Sequence, residues 1–145
     1  MNEPYQILLV EDSLPDAHLA QRAFRESSFE SVVVHAQDGE QALAMLQNEG
    51  DYADQTRPDL VLLDLNLPGI NGRQVLNRIR SDENLKSIPV VILSTSSHED
   101  DVAESYRLGG NSYVVKPVEL SDFFNVIERT QHYWFRVCTL PASRS

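Results

Sequence analysis

The stretch "DLVLLDLNLPGINGR", Asp59–Arg73, decides the fold: an unbroken apolar run, Leu60–Leu63, ends on a carboxylate, Asp64, and the chain turns at once through Pro68, Gly69 and Gly72. A strand apolar on both faces belongs in the middle of a sheet covered by helices on both sides. Its last residue then emerges at the sheet edge. Similar short runs recur along the chain, so that strands are predicted at Gln6–Val10, Ser31–Ala36, Leu60–Asp64, Pro89–Ser94 and Ser112–Val115. Amphipathic segments lie between them. "SLPDAHLAQRAF" opens on a predicted capping box of Ser13 and Asp16, with Pro15 tolerable in the first turn. "DGEQALAMLQ", "NGRQVLNRIR", "SHEDDVAESYRLGG" and "SDFFNVIERTQHYWF" supply the other helices, the fourth with a second predicted box, Ser97 to Asp100, and a C-cap at Gly109 and Gly110. The segment "NEGDYADQTRP" reads as an exposed loop.

Five strands alternating with five helices predict an α/β fold: right-handed crossovers and a doubly wound five-stranded parallel sheet. Ligands of such sheets bind beyond the carboxyl ends of the strands, where the strand order reverses. There the sequence places Glu11 and Asp12 after the first strand, Asp64 after the third, Ser94 and Thr95 after the fourth, and Lys116 after the fifth. Three carboxylates brought together repel one another, and a hard cation with oxygen ligands, Mg²⁺ or Mn²⁺, relieves that repulsion. A lysine beside them suits a phosphoryl oxygen. Metal, lysine, hydroxyl and strand-end carboxylate make a phosphoryl-transfer site. Singly, each residue has a plainer reading: Asp12 and Ser13 as a helix cap, Ser96 and Ser97 as loop and cap, Asp64 and Lys116–Pro117 as turn formers. Their coincidence at four strand ends favours the chemical reading.

Twelve basic and twenty-two acidic side chains leave a net charge of −10, which disfavours nucleic acid and anionic membrane as partners. The lone cysteine, Cys138, has no internal disulfide partner, and neither a signal peptide nor a membrane-spanning run is evident. The expected location is the cytoplasm. His18, His35, His98 and His132 are scattered without metal-ligand spacing, and His98 reads as a helix-start residue. A dinucleotide fold would want a glycine-rich turn where Glu11 and Asp12 stand.

The segments "LLVEDS", "LVLLDLNLPGINGRQVL", "PVVILSTSS" and "GGNSYVVKP" resemble the signature segments of the response-regulator receiver domain of bacterial two-component signalling. The resemblance implies a flavodoxin-like receiver with strand order 2-1-3-4-5. It also implies that Asp64 is the phosphoacceptor, and that Glu11, Asp12, Asp64 and the main-chain carbonyl of Asn66 surround the cation. In the same pattern Ser94 and Tyr113 form the switch pair, Thr95 lies beside the reaction, and Lys116 binds phosphate ahead of a Pro117 that in the family usually follows a cis peptide. Haloacid-dehalogenase phosphatases also use a strand-end aspartate, but their second acid two residues on is Asn66 here.

The receiver is expected over 1–137 with a C-terminal tail over 138–145. For the tail two readings stand: "HYWFRVCTLP" folds back over its own domain, or it completes a homodimer seam. Leu120, Phe123, Phe124, Ile127 and Trp134 form one apolar stripe of the last helix, and Val126, Tyr133 and Val137 a second. The long loop and the ending "WFRVCTLP" are similar to the small response regulators paired with phytochrome-type histidine kinases. That resemblance implies a homodimer, a kinase partner supplying the phosphate, output by protein contact and no dedicated enzymatic activity. The competing functional reading is a phosphorylation-independent dimerisation or interaction module.

Overall fold

The structure is a computed structural model and describes residues 3–141. Five parallel strands, β1 (Tyr5–Val10), β2 (Ser31–Ala36), β3 (Leu60–Leu63), β4 (Val90–Ser94) and β5 (Ser112–Val115), form one sheet in the order β2-β1-β3-β4-β5. The five helices are α1 (Leu14–Glu26), α2 (Gly39–Leu46), α3 (Gly72–Ser81), α4 (Glu99–Arg107) and α5 (Leu120–His132). The expected flavodoxin-like architecture and strand order are those observed.

Alternation along each strand divides the core in two. Leu8, Val10, Val61, Leu63, Val90 and Ile92 face α2 and α3, packing on Ala42, Leu43, Val75, Leu76 and Ile79. Ile7, Leu9, Leu60, Leu62, Val91 and Leu93 face α1 and α5, packing on Ala17, Ala20, Phe24, Phe123 and Ile127. Both faces are therefore dry, which explains why β3 and β4 read as continuous apolar runs. Helix α4 is the exception, because its only buried residue is Ser105. It is held from outside, by Arg73 of α3 paired with Asp101 at 2.6 Å and with Glu104. At its C-terminus Gly109 adopts φ +106°, the left-handed conformation that the predicted C-cap needs.

Several predicted boundaries and caps are corrected. β1 begins at Tyr5, whose N–H bonds Glu30 O at 3.1 Å. β4 begins at Val90 because Pro89 gives the ladder only a carbonyl, which accepts from Val61 N at 3.0 Å. Asp64 lies just past the end of β3, although its N–H still reaches Val10 O at 3.1 Å. The box at α1 is half formed: Ser13 Oγ accepts from Asp16 N at 3.3 Å, but Ser13 N donates to Glu11 Oε2 at 3.2 Å. The box at α4 is absent, since that helix starts one residue later, with His98 at the N-cap and Ser96 Oγ accepting from His98 N at 3.2 Å. The full box belongs to α3, where Asn71 and Gln74 bond each other's main chain at 3.0 Å both ways. The loop from Asn48 carries a 3-10 turn, Gly50–Tyr52, and its Tyr52 packs on the core. No cis peptide occurs among the described residues, so the bond before Pro117 is trans.

The last helix differs most from expectation. It gives way after His132 to a π turn, Tyr133–Val137, and the change of pitch buries Phe135, with Trp134 packing on the same core only in part. Phe135 stacks on Tyr5 with centroids 3.7 Å apart and meets Phe29 edge-on at 6.2 Å. Leu120, Tyr133 and Val137 are exposed, while Gln131 takes a buried place that the stripe did not include. The tail thus folds back through Phe135 and Leu140 onto its own domain while leaving Tyr133 and Val137 outward. Residues 142–145 of the expected tail, like residues 1 and 2, lie outside the described residues. No described helix is long and apolar enough to cross a membrane.

Candidate phosphoryl-transfer site

Because β1 and β3 are neighbours whose crossovers run to opposite sides, their carboxyl ends form the crevice of the sheet. Glu11, Asp12 and Asp64 stand there, each offering a carboxylate oxygen within 4.8 Å of the others. Glu11 and Asp64 are buried and Asp12 is exposed, so the cluster opens to solvent on the Asp12 side. The donor set is all hard oxygen, which fits Mg²⁺ or Mn²⁺ and not a soft metal.

Lys116 enters from the end of β5, held by its own N–H on Ser94 O at 2.7 Å. Its ammonium lies 2.6 Å from Glu11 Oε1, 3.1 Å from Asp64 Oδ2 and 3.2 Å from Asp16 Oδ2. Burial pushes the Glu11 carboxyl up, and the hydrogen bond and charge of Asp64 add to that; the pull of Lys116 in the other direction leaves it at about 7. Burial alone would lower Lys116, but Glu11 and Asp64 outweigh it and hold the ammonium above its ordinary range. The cluster therefore keeps its lysine charged.

Asp64 is oriented by Asn66 N, which donates to Oδ1 at 3.0 Å. Ser94 is fully buried, and its Oγ accepts from Ser96 N at 3.1 Å. Thr95 and Asn66 are exposed at the rim. Tyr113 is half-buried and its hydroxyl donates to Ser96 O at 2.8 Å. Glu11, Asp12, Asp64, Asn66, Ser94, Thr95 and Lys116 stand at or just past the strand ends, whereas Tyr113 lies within β5 and reaches the β4–α4 loop through its hydroxyl.

Three participants were not expected. Asp16 has the spacing of a helix cap, yet its carboxylate turns to Lys116 because Glu11 has taken the Ser13 N–H. Ser96, which by sequence is loop or cap, is the joint of the β4–α4 loop: its Oγ also donates to Asp101 at 2.5 Å. Arg73 carries that joint across to α3. The spacing Asp12 to Asp16 was the one available signal, since four residues bring a first-turn helix residue back toward the preceding strand end.

The sequence pattern of the response regulator receiver domain matches residues 7–128. Response regulator Rcp1 of Synechocystis sp. is 44% identical over 142 residues, covering 98% of this chain and 97% of that protein. The crystal structure of the phosphorylated cyanobacterial phytochrome response regulator RcpA superposes with a TM-score of 0.91 at 46% identity, over 97% of this chain and 100% of that one. The Mn²⁺-bound form of response regulator Rcp1 gives 0.88 at 45% identity, over 96% and 100%. With the sheet order, the acidic crevice and these likenesses agreeing, the chain belongs to the receiver-domain response regulators of two-component signalling, related to those of phytochromes.

Proposed function

We propose that this protein accepts a phosphoryl group on Asp64 from the phosphohistidine of a sensor histidine kinase, of phytochrome type, and signals through protein contacts. The observation that carries the reading is the Asp64 carboxylate itself, 3.1 Å from a buried ammonium and within ligand reach of two further carboxylates at the sheet's crevice. An Asp64 oxygen forms the new P–O bond as the N–P bond to the imidazole breaks, the electron pair leaving with the imidazole nitrogen. Lys116 takes up charge on the transferring oxygens, and Ser94 gives up Ser96 N to reach the phosphoryl group, opening space toward which the Tyr113 ring moves. Glu11, Asp12, Asp64 and the Asn66 carbonyl would hold Mg²⁺ or Mn²⁺, which when bound neutralises the meeting of two anions. Thr95 and Asn66, at the exposed rim, border the path of the water that later hydrolyses the acyl phosphate. Catalysis here serves the protein's own modification and reversal, so it is not a dedicated enzyme.

The RcpA and Rcp1 likenesses support the phytochrome partner and the cation. The expected test is label transfer from a phytochrome-type kinase, or from a small phosphodonor, that requires Mg²⁺ and stops in chelator. Because a cation and a proton compete for Glu11, the half-saturating Mg²⁺ concentration should rise below pH 7, by at most about tenfold per pH unit for one displaced proton. Failure to label under any divalent cation would favour the phosphorylation-independent interaction module instead.

The receiver, 1–137, would pair as a homodimer through the α4–β5–α5 face and the tail, 138–145. Tyr106, Val115, Val118 and Leu120 leave apolar surface on that face, with Val118 99% exposed, and Tyr133 and Val137 extend it. Helix α4, which buries no apolar side chain, is the element that phosphorylation can most cheaply reposition. Light scattering should give twice the chain mass, and Val118→Asp with Leu120→Asp should halve it. A wild-type monomer at micromolar concentration, with or without beryllofluoride, would remove the dimer. A cytoplasmic location and no nucleic-acid or membrane partner complete the reading, supported by the net charge of −10.

A further inference from the structure

We infer that Asp16 is a positioning residue for this chemistry, acting through Lys116 to favour the unphosphorylated state; the inference rests on Asp64 being the phosphoacceptor. An ammonium has three N–H donors, and in this protein three carboxylates take them: Glu11 at 2.6 Å, Asp64 at 3.1 Å and Asp16 at 3.2 Å. The lysine side chain is 8% exposed, so no water replaces a lost partner from the inside. The three acceptors are not equal. Glu11 and Asp64 are 4% and 9% exposed, whereas Asp16 is 46% exposed and can be rehydrated cheaply when the lysine leaves it.

A phosphoryl group on Asp64 turns that carboxylate into an acyl phosphate and removes its charge, while adding three strong acceptors close by. Lys116 must redirect a donor toward them. Glu11 cannot release it, being buried and carrying the shortest bond, so the exchange falls on Asp64 and Asp16. Asp16 therefore holds part of the ammonium's capacity in reserve. Its place follows from the sequence. At the third position of α1 its carboxylate would ordinarily cap Ser13 N, but Glu11 occupies that donor and leaves Asp16 free to lean over the end of β5.

Asp16→Asn keeps the shape and removes the charge. Labelling by acetyl phosphate in Mg²⁺ should become about two- to fivefold faster, the range expected for a half-exposed ion pair, with an unchanged thermal midpoint. In a Lys116→Ala background the same substitution should have no effect on the rate, because the lysine that transmits it is gone. An unchanged or slower rate in Asp16→Asn overturns the inference, and so does an equal acceleration without Lys116, which would mean charge acting directly. Independently of phosphate, the ¹⁵N resonance of the Lys116 ammonium should shift in Asp16→Asn; an unmoved resonance also overturns it. If wild type takes no label while that resonance does shift, the contact stands and the phosphoacceptor reading is what fails.

Discussion

Asp64→Asn should take up no detectable phosphoryl group from a phosphohistidine kinase or from a small phosphodonor, while remaining folded. The amide matches the carboxylate in size and can still accept the bond from Asn66 N that sets the side chain at 3.0 Å. What it lacks is the charged oxygen that forms the P–O bond, so the loss is chemical rather than structural. The electrostatics point the same way. Asp64 raises Glu11 both by its charge and by its hydrogen bond, so removing it relieves repulsion between two buried acids, and Lys116 keeps its 2.6 Å bond to Glu11. Denaturant unfolding should accordingly find the variant within about 1 kcal/mol of wild type. Full labelling of this variant would overturn the assignment. Acid-stable label on a serine, Ser94 among them, would show a different chemistry using the same crevice.

The parts of this protein that were legible in its sequence are those fixed by burial. Leu60–Leu63 and Val90–Leu93 are dry on both faces, and nothing but a central strand of a covered sheet accommodates such runs. Once the strands are placed, their carboxyl ends bring Glu11, Asp12, Asp64, Ser94 and Lys116 together without further information. Illegible were the contacts decided by competition among polar groups. Ser13 and Asp16 have the spacing of a capping box, but the box fails because Glu11, a residue outside the helix, is the better-placed acceptor for Ser13 N. Ser97 loses the α4 N-cap to His98, whose N–H is taken by Ser96 Oγ, and Tyr113 claims the Ser96 carbonyl. Arg80 gave no sign of its part: its guanidinium ties the end of α3 to Ile88 O, Gly109 O and Asn111 Oδ1, at 2.9, 2.8 and 2.7 Å. At the tail, a regular helical stripe does not carry through a π turn, and the altered pitch buries Phe135 while Trp134 packs on the core only in part.

Gly72→Ala should be severely damaging, and its cause lies in the stretch that decides the fold. Gly72 opens α3 directly against the end of β3, its N–H donating to Leu65 O at 3.0 Å. A Cβ at this position would stand 2.3 Å from Asp64 O and 2.6 Å from Leu65 Cα. Both are main-chain atoms, and neither can rotate aside as a side-chain end would. Either α3 retreats, which opens the packing of the fully buried Val75, Leu76 and Ile79, or the backbone carrying Asp64 moves. Overpacking against backbone should cost more than about 3 kcal/mol, the upper end for an added methyl group. The gain in helix propensity from glycine to alanine, about 1 kcal/mol, does not offset that. Chemistry should suffer separately from stability. A shift of Asp64 by about 1 Å would spoil its approach to Lys116 and to a donor, and misplacement on that scale costs on the order of a hundredfold in rate. The check is denaturant unfolding together with the labelling rate per folded molecule. A variant that lost less than about 0.5 kcal/mol and labelled normally would mean that the β3–α3 junction yields freely, and that Gly72 does not hold the nucleophile in place.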